Sequence, residues 1–116
     1  MNVKLVMFKS NGQRKDFPIN IPVTVIGRGE ECDLLIRDSG ISRLHAKVER
    51  KLDGSYEIED LNSTNGIFVQ SKRVRRHNLN DGDVVQVGQH EIMYIDERAP
   101  RPNAADSAAA DNAEDP

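Results

Sequence analysis

The chain has a single cysteine, Cys32, among 116 residues. No disulfide can form within it, which excludes a small secreted scaffold held by cross-links. Long apolar runs are missing as well. The longest early one, Leu5 to Phe8, is too short for the apolar segment of a secretion signal and far too short to span a bilayer. A soluble, cytoplasmic protein with no membrane association is expected. Most of the chain also lacks excess charge. The formal net charge is −3, and the residues from Ala99 onward account for it, with Arg101 alone against Asp106, Asp111, Glu114 and Asp115. The body is therefore neutral, without the overall positive charge of a typical nucleic-acid binder or a basic membrane-facing surface. Any anion site has to be local.

Signatures of catalysis are absent too. Ser42 and His45 could suggest a nucleophile and its base, but Gly40-Ile41-Ser42-Arg43-Leu44 does not make the Gly-x-Ser-x-Gly elbow. Gly27-Arg28-Gly29 is followed by Glu30, Glu31 and Cys32, which breaks the dinucleotide fingerprint, and no strand-helix-strand unit follows. There is no P-loop. His45, His77 and His90 lie far apart without metal-ligand spacing. Cys32 has no basic or histidine neighbour that would activate a thiolate and reads as a small buried or edge residue. No enzyme, metal or cofactor is expected.

What is present is a succession of short β-branched runs separated by turn residues at roughly ten-residue spacing, as in a sandwich or barrel. With 37% hydrophobic residues, the chain makes one domain with one modest core. Alternation is clearest from Ser55 to Asp60, where Tyr56 and Ile58 point one way and Glu57 and Glu59 the other. The same period recurs as Ala46 and Val48 against Lys47 and Glu49, as Val85 and Val87, and as Ile92 and Tyr94. Further strands are predicted at Val3 to Phe8, Phe17 to Ile21, Val23 to Ile26, Leu34 to Ile36 and Gly66 to Val69, with ends placed to within about 2–4 residues. Asn11-Gly12, Asp53-Gly54, Asn65-Gly66 and Asp81-Gly82 supply the positive φ that tight hairpin turns need. An all-β antiparallel sandwich over residues 1–98 is expected. Residues 99–116 turn to Ala, Asp, Asn and Pro with no aromatic or β-branched side chain, so this acidic tail is read as disordered.

Polar residues that no core explains gather in three interstrand segments: Gly27-Arg28-Gly29, Ser42-Arg43-Leu44-His45 and Asn62-Ser63-Thr64-Asn65-Gly66. Loops of a sandwich cluster at its two ends, so these segments could converge. Together they offer guanidinium groups at Arg28 and Arg43, hydroxyls at Ser42 and Thr64, an amide at Asn65, and glycines that let backbone N–H groups approach. That inventory suits an oxyanion such as phosphate, which Arg holds bidentately while neutral donors add hydrogen bonds. Taken singly, each residue has a plainer reading. Arg28 would be a solvated charge, and Asn65-Gly66 would be a type I′ turn whether or not a ligand exists.

The order Gly-Arg, then Ser-x-x-His, then Asn-Gly resembles the forkhead-associated (FHA) domain, from about Val3 to Glu97. The resemblance implies an eleven-stranded β-sandwich whose apical loops recognise phosphothreonine. By motif position, Arg28 and Ser42 would bind the phosphate, Thr64 and Arg43 would add contacts, and Asn65 would hold the ligand backbone. Gly27, His45 and Gly66 would support the loops. Some family members carry a charged residue shortly before the serine that selects a ligand side chain. Here those positions are Gly40 and Ile41, and no acidic preference is inferred from them. The expected function is recruitment of a partner phosphorylated on threonine by a Ser/Thr kinase. The threonines are Thr24, in a predicted strand, and Thr64, in the proposed site, so the ligand is expected from another chain. Two alternatives are weaker: a phosphate-independent scaffold, and nucleic-acid binding through Lys72, Arg73, Arg75 and Arg76, a run with no interleaved aromatic.

Overall fold

Successive side chains of an extended strand point to opposite faces, so a strand with one face in the core alternates apolar and polar residues. That pattern builds most of this fold. The computed structural model describes residues 3–9 and 12–99. Among them are eleven strands: β1 (Val3–Phe8), β2 (Arg14–Pro18), β3 (Val23–Gly27), β4 (Leu34–Leu35), β5 (Ala46–Arg50), β6 (Tyr56–Asp60), β7 (Ile67–Val69), β8 (Lys72–Val74), β9 (Arg76–Asn78), β10 (Val84–Val87) and β11 (His90–Asp96). They form a six-stranded sheet, ordered β2-β1-β11-β10-β7-β8, and a five-stranded sheet, ordered β4-β3-β5-β6-β9. The pairings are antiparallel except for a short parallel one, Ile26 beside Leu34 and Gly27 beside Leu35.

The core lies between the sheets. Leu5, Ile92, Val85 and Ile67 face Ile26, Ala46, Val48 and Ile58, each at most 2% exposed. Burying an aliphatic side chain this fully contributes about 1.5–3 kcal/mol. The outer face of the five-stranded sheet is a lattice of opposite charges, with Lys47 3.7 Å and Arg76 3.2 Å from carboxylate oxygens of Glu59. Exposed pairs of this kind add little stability. No described helix is long and apolar enough to cross a membrane.

Three expectations need correction. β2 runs Arg14–Pro18 rather than Phe17 to Ile21. It is an edge strand paired only with β1 and is mostly exposed, so no core-facing pattern marks it. Ile19 follows as a buried anchor whose N–H donates to Val3 O at 2.9 Å. β8 and β9 were not anticipated, because they are charged edge strands, and edges carry charge to resist unwanted pairing. The turns differ as well. Gly12, Gly54, Gly66 and Gly82 all have positive φ, but Asn65-Gly66 and Asp81-Gly82 lie in connections between the two sheets, not in hairpins. Asn65 itself lacks positive φ, so its turn is not type I′. The two-residue turn with positive φ at both positions is Gln70 (52°) and Ser71 (66°), joining β7 to β8.

The acidic tail from residue 100 onward lies outside the described residues. The last strand ends at Asp96.

Candidate functional site

β3 ends at Gly27, a position where a side chain has no room. A Cβ on Gly27 would stand 2.8 Å from Cys32 Sγ and 2.9 Å from the carbonyl carbon of Arg43. This close approach lets two loops bond along their backbones, with Arg28 N donating to Ser42 O and Gly29 N to Arg43 O, each at 3.0 Å. Cys32 Sγ donates to the same Arg43 oxygen at 3.0 Å. Burial pushes the Cys32 thiol up, so it remains a protonated donor rather than a nucleophile. Gly27→Ala should overpack this junction and lower stability by about 1–3 kcal/mol. Urea denaturation should then show a lower midpoint with an unchanged slope.

The third loop, between β6 and β7, docks on the second through side chains. Thr64 N donates to Ser42 Oγ at 3.1 Å, which leaves the Ser42 hydroxyl its own proton to give. Asn65 Nδ2 donates to Gly40 O at 2.9 Å, keeping its second amide hydrogen and its carbonyl for other use. Arg28 Nε donates to Ile41 O at 3.0 Å. That bond fixes the guanidinium plane while the terminal nitrogens make no bond to another described residue.

His45 joins the second and third loops from beneath and is 0% exposed. Ser42 N–H points at Nδ1 from 3.1 Å, so Nδ1 must accept. Nε2 therefore carries the hydrogen and donates to Gly66 O at 2.8 Å. The third loop is tied further by Ser63, whose Oγ donates to Asp60 Oδ1 and accepts from Gly66 N. The second loop is tied by Asp38, which accepts from Gly40 N at 3.1 Å and from His90 Nε2 at 3.0 Å. The Gly40 amide first, and then His90, hold the Asp38 carboxyl below the usual carboxylate range.

The three loops thus meet around a cleft of about 340 Å³ lined by Arg28, Ser39, Gly40, Ile41, Ser42, Arg43, Thr64 and Asn65. Its wall holds two guanidinium groups, three hydroxyls and an amide, and no carboxylate. Arg43 enters it already paired, with Nη2 3.1 Å from both Glu31 oxygens. A larger groove beside the cleft, about 1050 Å³, sets Glu30, Glu31 and Asp38 against Arg28, Arg37 and Arg43 and is electrically mixed. The smaller cleft is the better anion receptor. It can take a small multivalent oxyanion by charge-assisted hydrogen bonds.

All of the residues singled out in the sequence meet here: Arg28, Ser42, Arg43, Thr64 and Asn65 on the cleft, with Gly27, His45 and Gly66 beneath or beside it. Asp38, His90 and Asp60 were not anticipated as supports of the site, and Ser63, inside a segment singled out in the sequence, had no role assigned. One signal for them was available, since Asp60 falls on the same parity as Tyr56 and Ile58 and so turns a carboxylate inward from a core-facing strand.

The family model of the FHA domain matches residues 24–88. The chain is 36% identical over 80 residues to an oxoglutarate dehydrogenase inhibitor of Corynebacterium diphtheriae, covering 69% of this chain and 55% of that protein. It is 34% identical over 84 residues to the FHA domain-containing protein FhaA of Mycobacterium tuberculosis, covering 72% of this chain and 16% of FhaA. The chain therefore spans about half the length of the first relative and a small part of the second. Among solved structures, one from a structural and functional study of phosphothreonine-dependent FHA domain interactions superposes with a TM-score of 0.75. It shares 30% identity and covers 84% of this chain and 98% of that one.

Proposed function

The chain belongs to the FHA-domain family, whose members are non-catalytic phosphopeptide-binding modules, and from that premise we propose that its three-loop cleft binds phosphothreonine in a partner protein. The observation that carries this reading is the composition of the wall: Arg28 and Arg43 present guanidinium N–H groups, and Ser42 and Thr64 hydroxyls, around a cleft that holds no carboxylate. Arg28 is the principal phosphate ligand, since its Nε is committed to Ile41 O and its two terminal nitrogens are left for two oxygens of one phosphate. Ser42 donates its hydroxyl hydrogen. Thr64 adds a second hydroxyl, and Arg43 adds charge once it turns from Glu31. Asn65 keeps one donor and one acceptor free, the pair that a peptide backbone offers in return. His45 holds the loops in register.

The partner is another protein, phosphorylated by a Ser/Thr kinase in the cytoplasm. Thr24 is 0% exposed and inaccessible to a kinase, and Thr64 is part of the receptor. Phosphorylation supplies the charge and the acceptor oxygens that make the complex, and dephosphorylation releases it. The nucleic-acid reading loses ground. Arg73 lies on the outer face of the six-stranded sheet, opposite Phe68 in register, whereas Arg76 pairs with Glu59 on the outer face of the other sheet, so the basic run does not form one patch.

Titration with a degenerate peptide pool in phosphothreonine, phosphoserine and unmodified forms tests the reading. Saturable binding of the phosphothreonine pool is expected, with the phosphoserine pool weaker by about ten-fold for want of one methyl in a fitted niche. The unmodified pool should not bind. Equal binding of phosphorylated and unmodified pools would refute the proposal.

A further inference from the structure

Three members of the basic run, Lys72, Arg73 and Arg75, have no side-chain partner among the described residues, and Arg73 is the one that the fold sets beside the phosphate cleft. Arg76 is engaged by Glu59, and Val74 turns towards the core. Arg73 is exposed and takes no carboxylate partner among the described residues. Its position is nonetheless fixed by the fold. Register places it beside Phe68, and its guanidinium lies directly over Gly66, where a Cβ would stand 2.8 Å from Arg73 Cζ. Gly66 follows Asn65, and so a free guanidinium charge stands next to the loop that carries the amide of the cleft.

Between Arg73 and the phosphate cleft there is also room for a ligand. A second cleft, about 330 Å³, is lined by Asp38, Ser39, Gly40, Asn65, Phe68, Gly88 and Gln89. It shares Ser39, Gly40 and Asn65 with the phosphate cleft, so an extended segment anchored by its phosphate can continue over Asn65 into this space and on past Phe68. An extended chain advances about 3.3 Å per residue, and this path occupies only a few residues. The one carboxylate on the second cleft, Asp38, is hydrogen-bonded by Gly40 N and His90 Nε2 but keeps its negative charge, so an acidic ligand side chain has to pass it and reach Arg73, which lies beyond the lining of this cleft, over Gly66. The unanswered charge along this direction is the positive one on Arg73.

We propose that Arg73 is a specificity-determining residue of the phosphopeptide site, selecting partner segments that carry an Asp or Glu a few residues from the phosphothreonine, on the side that crosses Asn65 and Phe68. This rests on the phosphothreonine reading of the neighbouring cleft and narrows the class of partner that it admits. Gly40 and Ile41, just before the cleft serine, have no charge to offer. Arg73 supplies it from β8 instead. The pair it forms with the ligand is partly solvated, so its contribution is modest and weakens with salt.

The test uses phosphothreonine peptides in a neutral background, each carrying one Glu at a single position within four residues on either side of the phosphothreonine. Binding is measured by fluorescence anisotropy to the wild-type chain, Arg73→Ala and Arg73→Glu. Glu at one position, or two neighbouring ones, on one side only should tighten wild-type binding by up to about five-fold, the upper range for a solvated ion pair. The gain should vanish in Arg73→Ala. In Arg73→Glu the preference should invert, so that Lys at the same position binds more tightly than Glu. Equal affinity for all Glu positions, or a Glu preference that survives in Arg73→Ala, overturns the assignment of Arg73 while leaving the phosphothreonine reading in place. Failure of every phosphothreonine peptide to bind the folded wild-type chain overturns both.

Discussion

Arg28→Ala is expected to weaken binding of a phosphothreonine peptide by about 100-fold or more, close to 2.7 kcal/mol, while the protein stays folded. The size follows from what the side chain does. Its two terminal nitrogens can each give a charge-assisted hydrogen bond to phosphate, and bonds to charged groups are worth about 1.5–3 kcal/mol apiece. Arg43 substitutes only in part, because it has to leave Glu31, 3.1 Å away, and no bond fixes its plane toward the cleft. The remaining groups on the cleft wall are neutral. The fold should lose far less, because Arg28 is exposed and contributes to the loop one side-chain bond, Nε to Ile41 O, worth about 0.5–1.5 kcal/mol. Arg28→Lys separates charge from geometry. A lysine ammonium cannot keep the Ile41 bond and also present a planar fork, so affinity should fall most of the way to that of the alanine variant. Titration calorimetry with one phosphopeptide, alongside thermal melts of the three proteins, reads both quantities. Wild-type affinity in a folded Arg28→Ala would remove Arg28 from the site and the anion reading with it.

How far this site could be read in advance depended on the kind of interaction. Arg28, Ser42, Thr64 and Asn65 stood out because polar side chains in short segments between apolar strands have no role in the core, and three such segments in one chain form a pattern. Strands β5, β6, β10 and β11 were legible because each buries one face, which imposes alternation. β2, β8 and β9 were not, because an edge strand pairs on one side and its composition answers to solvent. The hairpin at Gln70-Ser71 gave no signal, since non-glycine residues at positive φ are held there by strand pairing rather than by their own preference. The supports of the site were hidden for another reason. Asp38 and His90 are 52 positions apart, and nothing local in either marks them as partners before the sheets bring them together. Arg73 was visible only as one charge in a run. The register of β7 with β8 is what separates it from Arg76 and sets it beside the cleft.

His45→Ala is expected to destabilise the protein by about 3–5 kcal/mol and to weaken binding even in the molecules that stay folded. Truncating the ring leaves the part-buried Ser42 N–H and the buried Gly66 C=O without their partner, at about 1–3 kcal/mol for a buried unsatisfied group and less for a part-buried one, and opens a cavity in a fully enclosed position. A domain of this size has only about 5–15 kcal/mol to lose, so urea denaturation should place the variant near the limit of folding at room temperature. The binding defect has a separate cause. Ser42 and Thr64 reach the cleft from loops whose spacing is set by the Ser42 N, His45 and Gly66 O chain, and without it the two hydroxyls no longer converge on one point. His45→Gln distinguishes the two effects, because its amide offers one acceptor and one donor in place of Nδ1 and Nε2. It should recover part of the stability. Because a flexible side chain spans the two loops less rigidly than a ring, affinity should recover less. If folded His45→Ala, measured at a temperature where it is fully native, bound phosphopeptide as tightly as the wild type, the imidazole would be a core residue only and the loops would be shown to hold their register without it.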